Sequence, residues 1–198
     1  GDFLLSASYE GNEVTVSPIG PSGIIGPTQQ TIAARSQAHC ILTDASNHYA
    51  LYTSLGDDIL YQQRFDAVTG KLSPNDPPTM SVKANAGPRH LTFAPSGKFV
   101  YLIGELDGAI RVFPYDAAGG VLEEEIQVVS ALPKSFSGKP WAADIHLTSD
   151  GRFLYVGIGS NSNITERGIP AETDRALVWQ IDVETGAHKP YATGLRNP

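Results

Sequence analysis

The chain has 198 residues, of which 41% are hydrophobic and 18% charged, and this composition is typical of a globular protein. The net charge is −7, and the Lys and Arg residues are scattered singly, so we expect no nucleic-acid partner and no membrane surface. Cys40 is the single cysteine, which excludes an intrachain disulfide and a thiolate metal cluster.

Short strands bounded by Gly, Pro, Asp or Asn are predicted along the whole chain, and no amphipathic helix is predicted. In chain order these runs are "FLLSASYEGN", "EVTVSPI", "TQQTIA", "AHCILTD", "HYALYTS", "DILYQQRFD", "PTMSVK", "RHLTFAP", "KFVYLIG", "AIRVFPYD", "EIQVVSAL", "ADIHLTSD", "RFLYVGIG", "RALVWQIDV" and "KPYATG".

The runs recur as a unit. An aromatic residue opens the second strand of each unit, at Phe3, Tyr49, Phe99 and Phe153, so the unit repeats roughly every 50 residues. Four antiparallel strands at this period predict one blade of a β-propeller. The alternative is a β-sandwich, which also has short strands, but the near-constant period favours the propeller. We therefore predict an all-β, single β-propeller over residues 1–198, with about four blades of four antiparallel strands.

The number of blades leads to a prediction about assembly. The first unit supplies its second, third and fourth strands but no innermost strand, and closed rings usually have four to eight blades. A bare blade face would leave apolar side chains in water. We therefore expect a head-to-tail homodimer that completes the ring.

The last unit contains an insertion. About 12 extra residues separate its second and third strands, within the polar run "GSNSNITERGIPAETDR" at 159–175. Long polar loops of a propeller lie at a rim, where binding sites are common. This loop is therefore predicted to border a site.

Three stretches resemble the lactonase family of seven-bladed β-propellers, which includes a bacterial 6-phosphogluconolactonase. They are "AHCILTDASNHYALYTSLGDDILYQQRFDAVTGKLSPNDPP", "GPRHLTFAPSGKFVYLIGELDG" and "ADIHLTSDGRFLYV". The resemblance covers about residues 1–156. It implies a hydrolase that acts on a sugar-phosphate lactone, a small anionic substrate, without a metal or another cofactor.

Residues 157–198 resemble a blade of a different family, the quinone-dependent sorbosone and glucose dehydrogenases, through "GSNSN" and "GLRNP". This resemblance implies that Arg196 reaches a quinone, with Asn161 and Asn163 as further polar candidates. The chain is therefore interpreted as lactonase-like blades over 1–156 joined to a dehydrogenase-like blade over 157–198. This combination indicates a chimeric or engineered propeller, with a divergent natural gene as the alternative.

The lactonase resemblance implies a catalytic set of His90, His146 and Glu105, with Arg89 binding the substrate. These residue types suit the chemistry, because histidine is the usual base near neutral pH and arginine binds an anionic group in a planar fork. Glu105 is expected to orient a histidine or to accept hydrogen bonds from sugar hydroxyls. The repeat alignment predicts that His90 and His146 point the same way on neighbouring blades. Alternatively, each histidine only holds neighbouring blades together.

Other residues have more ordinary interpretations. Asp144 is predicted to be structural, either in a turn or as an inter-blade hydrogen-bond partner. His39 occupies the place of Arg89 one blade earlier and is a weaker candidate. Cys40 is interpreted as a buried structural thiol. The pair Asp57 and Asp58 is predicted to form a hairpin turn, and the run 123–125 ("EEE") a solvated face.

Two functions from other classes remain as alternatives to the lactonase. One is a catalytically silent, self-assembling propeller, and the other is a relative of the quinone-dependent sugar dehydrogenases. No signal peptide and no long apolar run are visible. We therefore expect a cytoplasmic protein, with a periplasmic or secreted location left open.

Overall fold

A computed structural model describes residues 1–161 and 168–195 of the chain. In this part of the chain the only helical segments are short 3-10 turns at Leu55–Asp57 and Ile169–Glu172. None of the helices in those ranges is long or apolar enough to cross a membrane. The strands are β1 (Phe3–Ser8), β2 (Glu13–Pro18), β3 (Gln30–Ala33), β4 (Ala38–Thr43), β5 (Tyr49–Ser54), β6 (Ile59–Asp66), β7 (Lys71–Ser81), β8 (Pro88–Phe93), β9 (Phe99–Gly104), β10 (Ala109–Asp116), β11 (Val121–Leu122), β12 (Gln127–Ser130), β13 (Ala142–Leu147), β14 (Phe153–Ile158), β15 (Leu177–Asp182) and β16 (His188–Thr193).

The strands form antiparallel sheets in chain order, which confirms the predicted all-β class. The sheets have the orders β1-β2-β3, β4-β5-β6-β7, β8-β9-β10 and β13-β14-β15-β16. In the third sheet, β11 and β12 both pair with β10 and together take the place of a fourth strand. The first, second and fourth sheets are meanders in which each strand pairs with the next one along the chain, and the third sheet departs from this order only at β12, which pairs with β10.

The fourth strand of the second sheet is longer than the sequence predicts. The predicted strand "PTMSVK" begins at Pro78, whereas β7 begins at Lys71, which pairs with Asp66 of β6. The strand contains three prolines and shifts register between Tyr61 and Gln63 of its partner. Prolines are tolerated here because β7 lies at the edge of its sheet, where an amide without a ladder partner costs little.

The chain divides into two compact units, 1–88 with 115–123 and 89–114 with 124–198. We call them unit 1 and unit 2. Strand β10 begins in unit 2 and ends in unit 1. Neither limit coincides with the predicted division between residues 156 and 157, which stays a prediction.

Unit 1 is stabilised by small apolar clusters and by glutamine side chains that bond to backbone. Val16, Phe65 and Leu72 are buried together, and burying each such side chain contributes roughly 1.5–3 kcal/mol. The amide of Gln30 bonds to both backbone groups of Leu72, each at 2.8 Å. The Gln30 side chain donates to and accepts from one residue, as the backbone of a neighbouring strand does, and these bonds join β3 of the first sheet to β7 of the second.

Unit 2 contains a large apolar cluster. Alternate residues of β14 and β15 face the same side of their sheet, so the cross-strand pair Val156 and Trp179 is buried. The opposite face of β14 carries the half-buried Tyr155, whose hydroxyl accepts a hydrogen bond from Gln180 at 2.6 Å. Residues of β9, β10 and β13 join the core, which gives the second half of the chain a rigid framework for the polar residues of β8 and β13.

Candidate active site

The turn predicted for Asp57 and Asp58 is confirmed, and it holds the segment that leads into β8. Asp58 has φ 56° at the end of the first 3-10 turn, a left-handed conformation that aspartate tolerates. Its carboxylate accepts the backbone N–H groups of Asn85 at 2.7 Å and Gly87 at 2.8 Å. Gly87 itself has φ 62°, so the chain turns sharply just before the site residues of β8.

Arg89, near the start of β8, pairs with Glu105 in the turn after β9. The Nε atom of Arg89 lies 2.7 Å from Oε2 of Glu105, and the two side chains are 15% and 16% exposed. A pair this well shielded is stronger than a surface ion pair, because water screens it less. The contact fixes the guanidinium plane, which is the part of arginine that binds carboxylate and phosphate groups.

His90, the next residue on β8, contacts Asp144 of β13. Its Nδ1 atom lies 2.5 Å from Oδ1 of Asp144, while Nε2 of His146 lies 2.8 Å from the other carboxylate oxygen. The side chain of His90 is 28% exposed and that of His146 is 73% exposed. One carboxylate therefore joins two histidines from two neighbouring sheets of unit 2.

The electrostatics of this cluster favour an ionised Asp144. Burial raises the pKa of its carboxyl group, but the hydrogen bond and charge of His90, the N–H of Ile145 and the charge of His146 outweigh burial. The net result is a pKa well below the ordinary value of 3.8. An ionised carboxylate stabilises a positively charged imidazolium beside it.

The arrangement can perform general acid–base chemistry. A histidine held by a carboxylate at one ring nitrogen can accept a proton at the other, as in hydrolases that activate a nucleophile. The cluster also joins β8 to β13. The histidines therefore also hold neighbouring strands of two sheets together, which is the structural role that the sequence left open. The two roles are compatible.

The predicted convergence of His90 and His146 is confirmed, since both rings contact Asp144. For Asp144, the predicted inter-blade hydrogen bond is confirmed, but the residue lies in a strand rather than a turn. Sequence reasoning missed that Asp144 binds both histidines. A signal was present: in the repeat alignment, Asp144 occupies the same position of the first blade strand as His90. Glu105 was expected to orient a histidine or to accept hydrogen bonds from sugar hydroxyls. In the structure its carboxylate instead pairs with Arg89.

His39 and Cys40 lie on β4 in unit 1. The ring of His39 makes an edge contact with Tyr9, with centroids 5.7 Å apart. Cys40 is half-buried, and its backbone N–H donates to the hydroxyl of Thr53 at 3.0 Å. The expectation of a fully buried thiol is therefore only partly met.

The acidic run 123–125 is exposed, as predicted. Glu125 also reaches Arg111, with Oε2 at 3.5 Å from Nε. Arg111 is 1% exposed and forms its main ion pair with Asp107, at 2.5 Å. The sequence analysis did not single out this buried pair.

The ends of the inserted loop are anchored within unit 2. The backbone N–H of Asn161 donates to Glu172 at 2.8 Å, and the guanidinium of Arg175 lies over the ring of Phe136 at 4.8 Å. The candidates Asn163 and Arg196 lie outside the described residues. Over residues 1–161 and 168–195, no group of three or more His, Cys, Asp or Glu side chains is arranged to hold a metal ion.

Comparison with known protein families assigns the fold. The model of the family described as "Lactonase, 7-bladed beta-propeller" matches residues 1–190. The chain belongs to this family, and its sheets are blades of a β-propeller. The match also includes most of the segment 157–198 that we compared with the dehydrogenases.

Named relatives are similar over most of this chain. A 6-phosphogluconolactonase of Pectobacterium carotovorum subsp. carotovorum (strain PC1) is 42% identical over 156 residues, which is 79% of this chain and 46% of the relative. A 6-phosphogluconolactonase of Serratia proteamaculans (strain 568) is 36% identical over 165 residues, 83% of this chain and 49% of the relative. The chain thus spans about half the length of the relatives that it matches.

Solved structures agree with this fold. The periplasmic gluconolactonase of Pseudomonas aeruginosa matches with a TM-score of 0.77 and 25% identity, covering 97% of this chain and 53% of that structure. A protein described as a putative 6-phosphogluconolactonase of Bacteroides fragilis NCTC 9343 matches with a TM-score of 0.75 and 27% identity, covering 99% and 56%.

Proposed function

We propose that this protein is a lactonase, a hydrolase that opens a sugar lactone, with 6-phosphogluconolactone as its substrate. The observation that supports this proposal most directly is the pair of histidines, His90 and His146, that meet on one carboxylate. Membership of the lactonase family and the names of the relatives support the same activity.

In the proposed reaction, water attacks the lactone carbonyl carbon, a new carbon–oxygen bond forms and the ring carbon–oxygen bond breaks. His90 accepts a proton from the attacking water and returns a proton to the ring oxygen, which leaves as a hydroxyl group. Such proton transfer contributes about 10²- to 10⁴-fold to a rate. His146 is the second histidine of the set and shares Asp144 with His90.

Arg89 is proposed to bind the anionic part of the substrate, with Glu105 holding its guanidinium group in place. This role follows from charge and geometry, because a guanidinium forms paired hydrogen bonds with phosphate or carboxylate oxygens. The contact with Arg89 involves Oε2 of Glu105, and the carboxylate can still accept hydrogen bonds from sugar hydroxyls.

Lactone hydrolysis by the full protein tests the proposal. Proton release from 6-phosphogluconolactone is measured in a pH-stat against the spontaneous rate. We expect His90→Asn to lower kcat about 100-fold or more, and His146→Asn to lower it as well. His48→Asn is the control, since His48 is exposed in the turn before β5. Hydrolysis no faster than in buffer, or unchanged rates in both variants, would contradict the proposal.

The assembly and location predicted from the sequence stay predictions. A head-to-tail homodimer would place one site of this kind on each chain. One structural neighbour is named a periplasmic gluconolactonase, so a periplasmic location stays open beside the cytoplasmic one.

A further inference from the structure

Asp144 lies in a β-bulge. Strand β13 pairs with β14 at Ala142 with Ile158 and again at Ile145 with Val156. Two residues, Ala143 and Asp144, therefore stand opposite the single residue Gly157. Bulges of this kind re-aim a side chain that regular pairing would direct elsewhere, and they are frequent beside active sites.

A second bulge in the chain shows what the local structure alone requires. Strand β4 shifts register at the equivalent place, between Ala38 and Ile41. There the N–H of Cys40 donates to the hydroxyl of Thr53 on the facing strand. In β13 the equivalent facing residue is Gly157, and the Asp144 carboxylate itself accepts the N–H of Ile145 at 2.8 Å. In the β4 bulge Cys40 occupies the place of Asp144, so a bulge at this position does not by itself require a carboxylate that binds two histidines.

We propose that Asp144 is a positioning residue that holds the ring proton of His90 on Nδ1 and the ring proton of His146 on Nε2. An ionised carboxylate only accepts hydrogen bonds, and it lies 2.5 Å from Nδ1 of His90 and 2.8 Å from Nε2 of His146. Both of these nitrogens must therefore be donors.

The two histidines then differ in the nitrogen that can accept a proton. In its neutral form His90 carries its lone pair on Nε2, and His146 carries it on Nδ1. The less exposed ring, His90, is held in the Nδ1–H form, which free histidine side chains adopt less often than Nε2–H. Asp144 thereby selects the tautomer in which Nε2 of His90 is the base, a step that rests on the proposed lactonase function.

Nitrogen NMR of the histidine rings tests the positioning role without any substrate. The full protein, labelled with ¹⁵N-histidine, is recorded at a pH about two units above the ordinary histidine pKa of about 6.5. Spectra of His90→Gln and His146→Gln assign the two rings. We expect His90 to show the Nδ1–H pattern in the wild type and to change to predominantly Nε2–H in Asp144→Ala. A wild-type His90 already in the Nε2–H form would overturn the inference.

A matched control separates this effect from general disturbance of the sheet. Asp150 lies in the turn after β13 and its carboxylate binds Thr148 and the N–H of Arg152. Asp150→Ala should leave the His90 tautomer unchanged. An equal change in both variants would show that the tautomer reports local packing, and the inference would be wrong. If the alanine variant does not fold, the wild-type spectrum alone decides, because a His90 ring in the Nε2–H form contradicts the inference.

Steady-state kinetics add a second measurement, because a purely structural role of Asp144 would not lower kcat selectively. We expect Asp144→Ala to lower kcat about 100-fold or more with a much smaller change in KM, because binding by Arg89 is untouched. The two proposals can fail separately. An inactive wild type with an Asp144-dependent Nδ1–H tautomer would contradict the lactonase function alone. An active wild type whose His90 tautomer ignores Asp144 would contradict the positioning role alone.

Discussion

The Nε atom of Arg89 lies 2.7 Å from Oε2 of Glu105, and both side chains are largely shielded from water. Since hydrogen bonds to charged groups contribute about 1.5–3 kcal/mol, we expect Arg89→Ala to raise KM for 6-phosphogluconolactone about tenfold or more, with a smaller change in kcat. Steady-state kinetics measure this split.

Arg152 offers a matched control for Arg89. It pairs with Asp182 at 2.9 Å, but its side chain is 49% exposed, and exposed pairs of this kind contribute about 1 kcal/mol or less. Arg152→Ala should leave KM unchanged. Equal KM values for wild type and Arg89→Ala would remove Arg89 from the substrate site.

The pH dependence of stability should differ between wild type and Asp144→Asn. The pKa of the Asp144 carboxyl group is lower in the folded protein than its ordinary value of 3.8. Its contribution to stability is therefore fully present above about pH 4 and is lost as the pH falls toward the lower folded value.

We expect Asp144→Asn to lower the free energy of unfolding by about 1 kcal/mol at pH 7, a modest value because the side chain is 36% exposed. The difference should shrink below pH 4. Urea titrations at several pH values measure it. A difference that stays constant or grows as the pH falls would contradict the assignment of an ionised Asp144.

Gln62 should matter for the stability of unit 1. Its side chain is fully buried, accepts the N–H of Leu122 at 2.6 Å and donates to the carbonyl of Pro77 at 2.9 Å. Gln62→Ala leaves both backbone groups without these partners, which costs about 1–3 kcal/mol for each buried group. The control Gln29→Ala loses one exposed hydrogen bond, to Thr69, and should cost well under 1 kcal/mol. Similar unfolding midpoints for the two variants would show that Gln62 does not join the strands as described.

The buried pair of Arg111 and Asp107 should be coupled. Asp107→Ala removes the shorter of the two ion pairs of the buried Arg111 and leaves the partly exposed Glu125 carboxylate at 3.5 Å, and breaking a buried pair from one side costs up to about 3–5 kcal/mol. Replacing both residues, in Asp107→Leu with Arg111→Met, removes the charges together and should cost much less. A double-mutant cycle in urea measures the coupling, and additive effects would show that the pair is not coupled.

The strand pattern could be predicted closely because it depends on local features. Alternating apolar residues and turn residues mark β5, β9 and β14 directly, and the repeat of their leading aromatic residues indicates blades. The pattern failed where an edge position overrides local preference. The sequence predicted a strand only from Pro78, yet β7 begins at Lys71 and runs through three prolines, because only an edge strand can lack amide partners and the sequence alone does not identify the edge.

For the site, the sequence and the family resemblance together singled out Arg89, His90, Glu105 and His146, since such residue types in repeated positions indicate shared chemistry. Which of them touch was decided only by the tertiary structure. Arg89 and His90 are neighbours in the chain, but one pairs with Glu105 and the other with Asp144. Register shifts and inter-sheet distances set these partners, and neither is encoded in local propensity. Asp144 lies in a bulge of β13, a feature that re-aims side chains, and only the folded chain brings its carboxylate against both histidines.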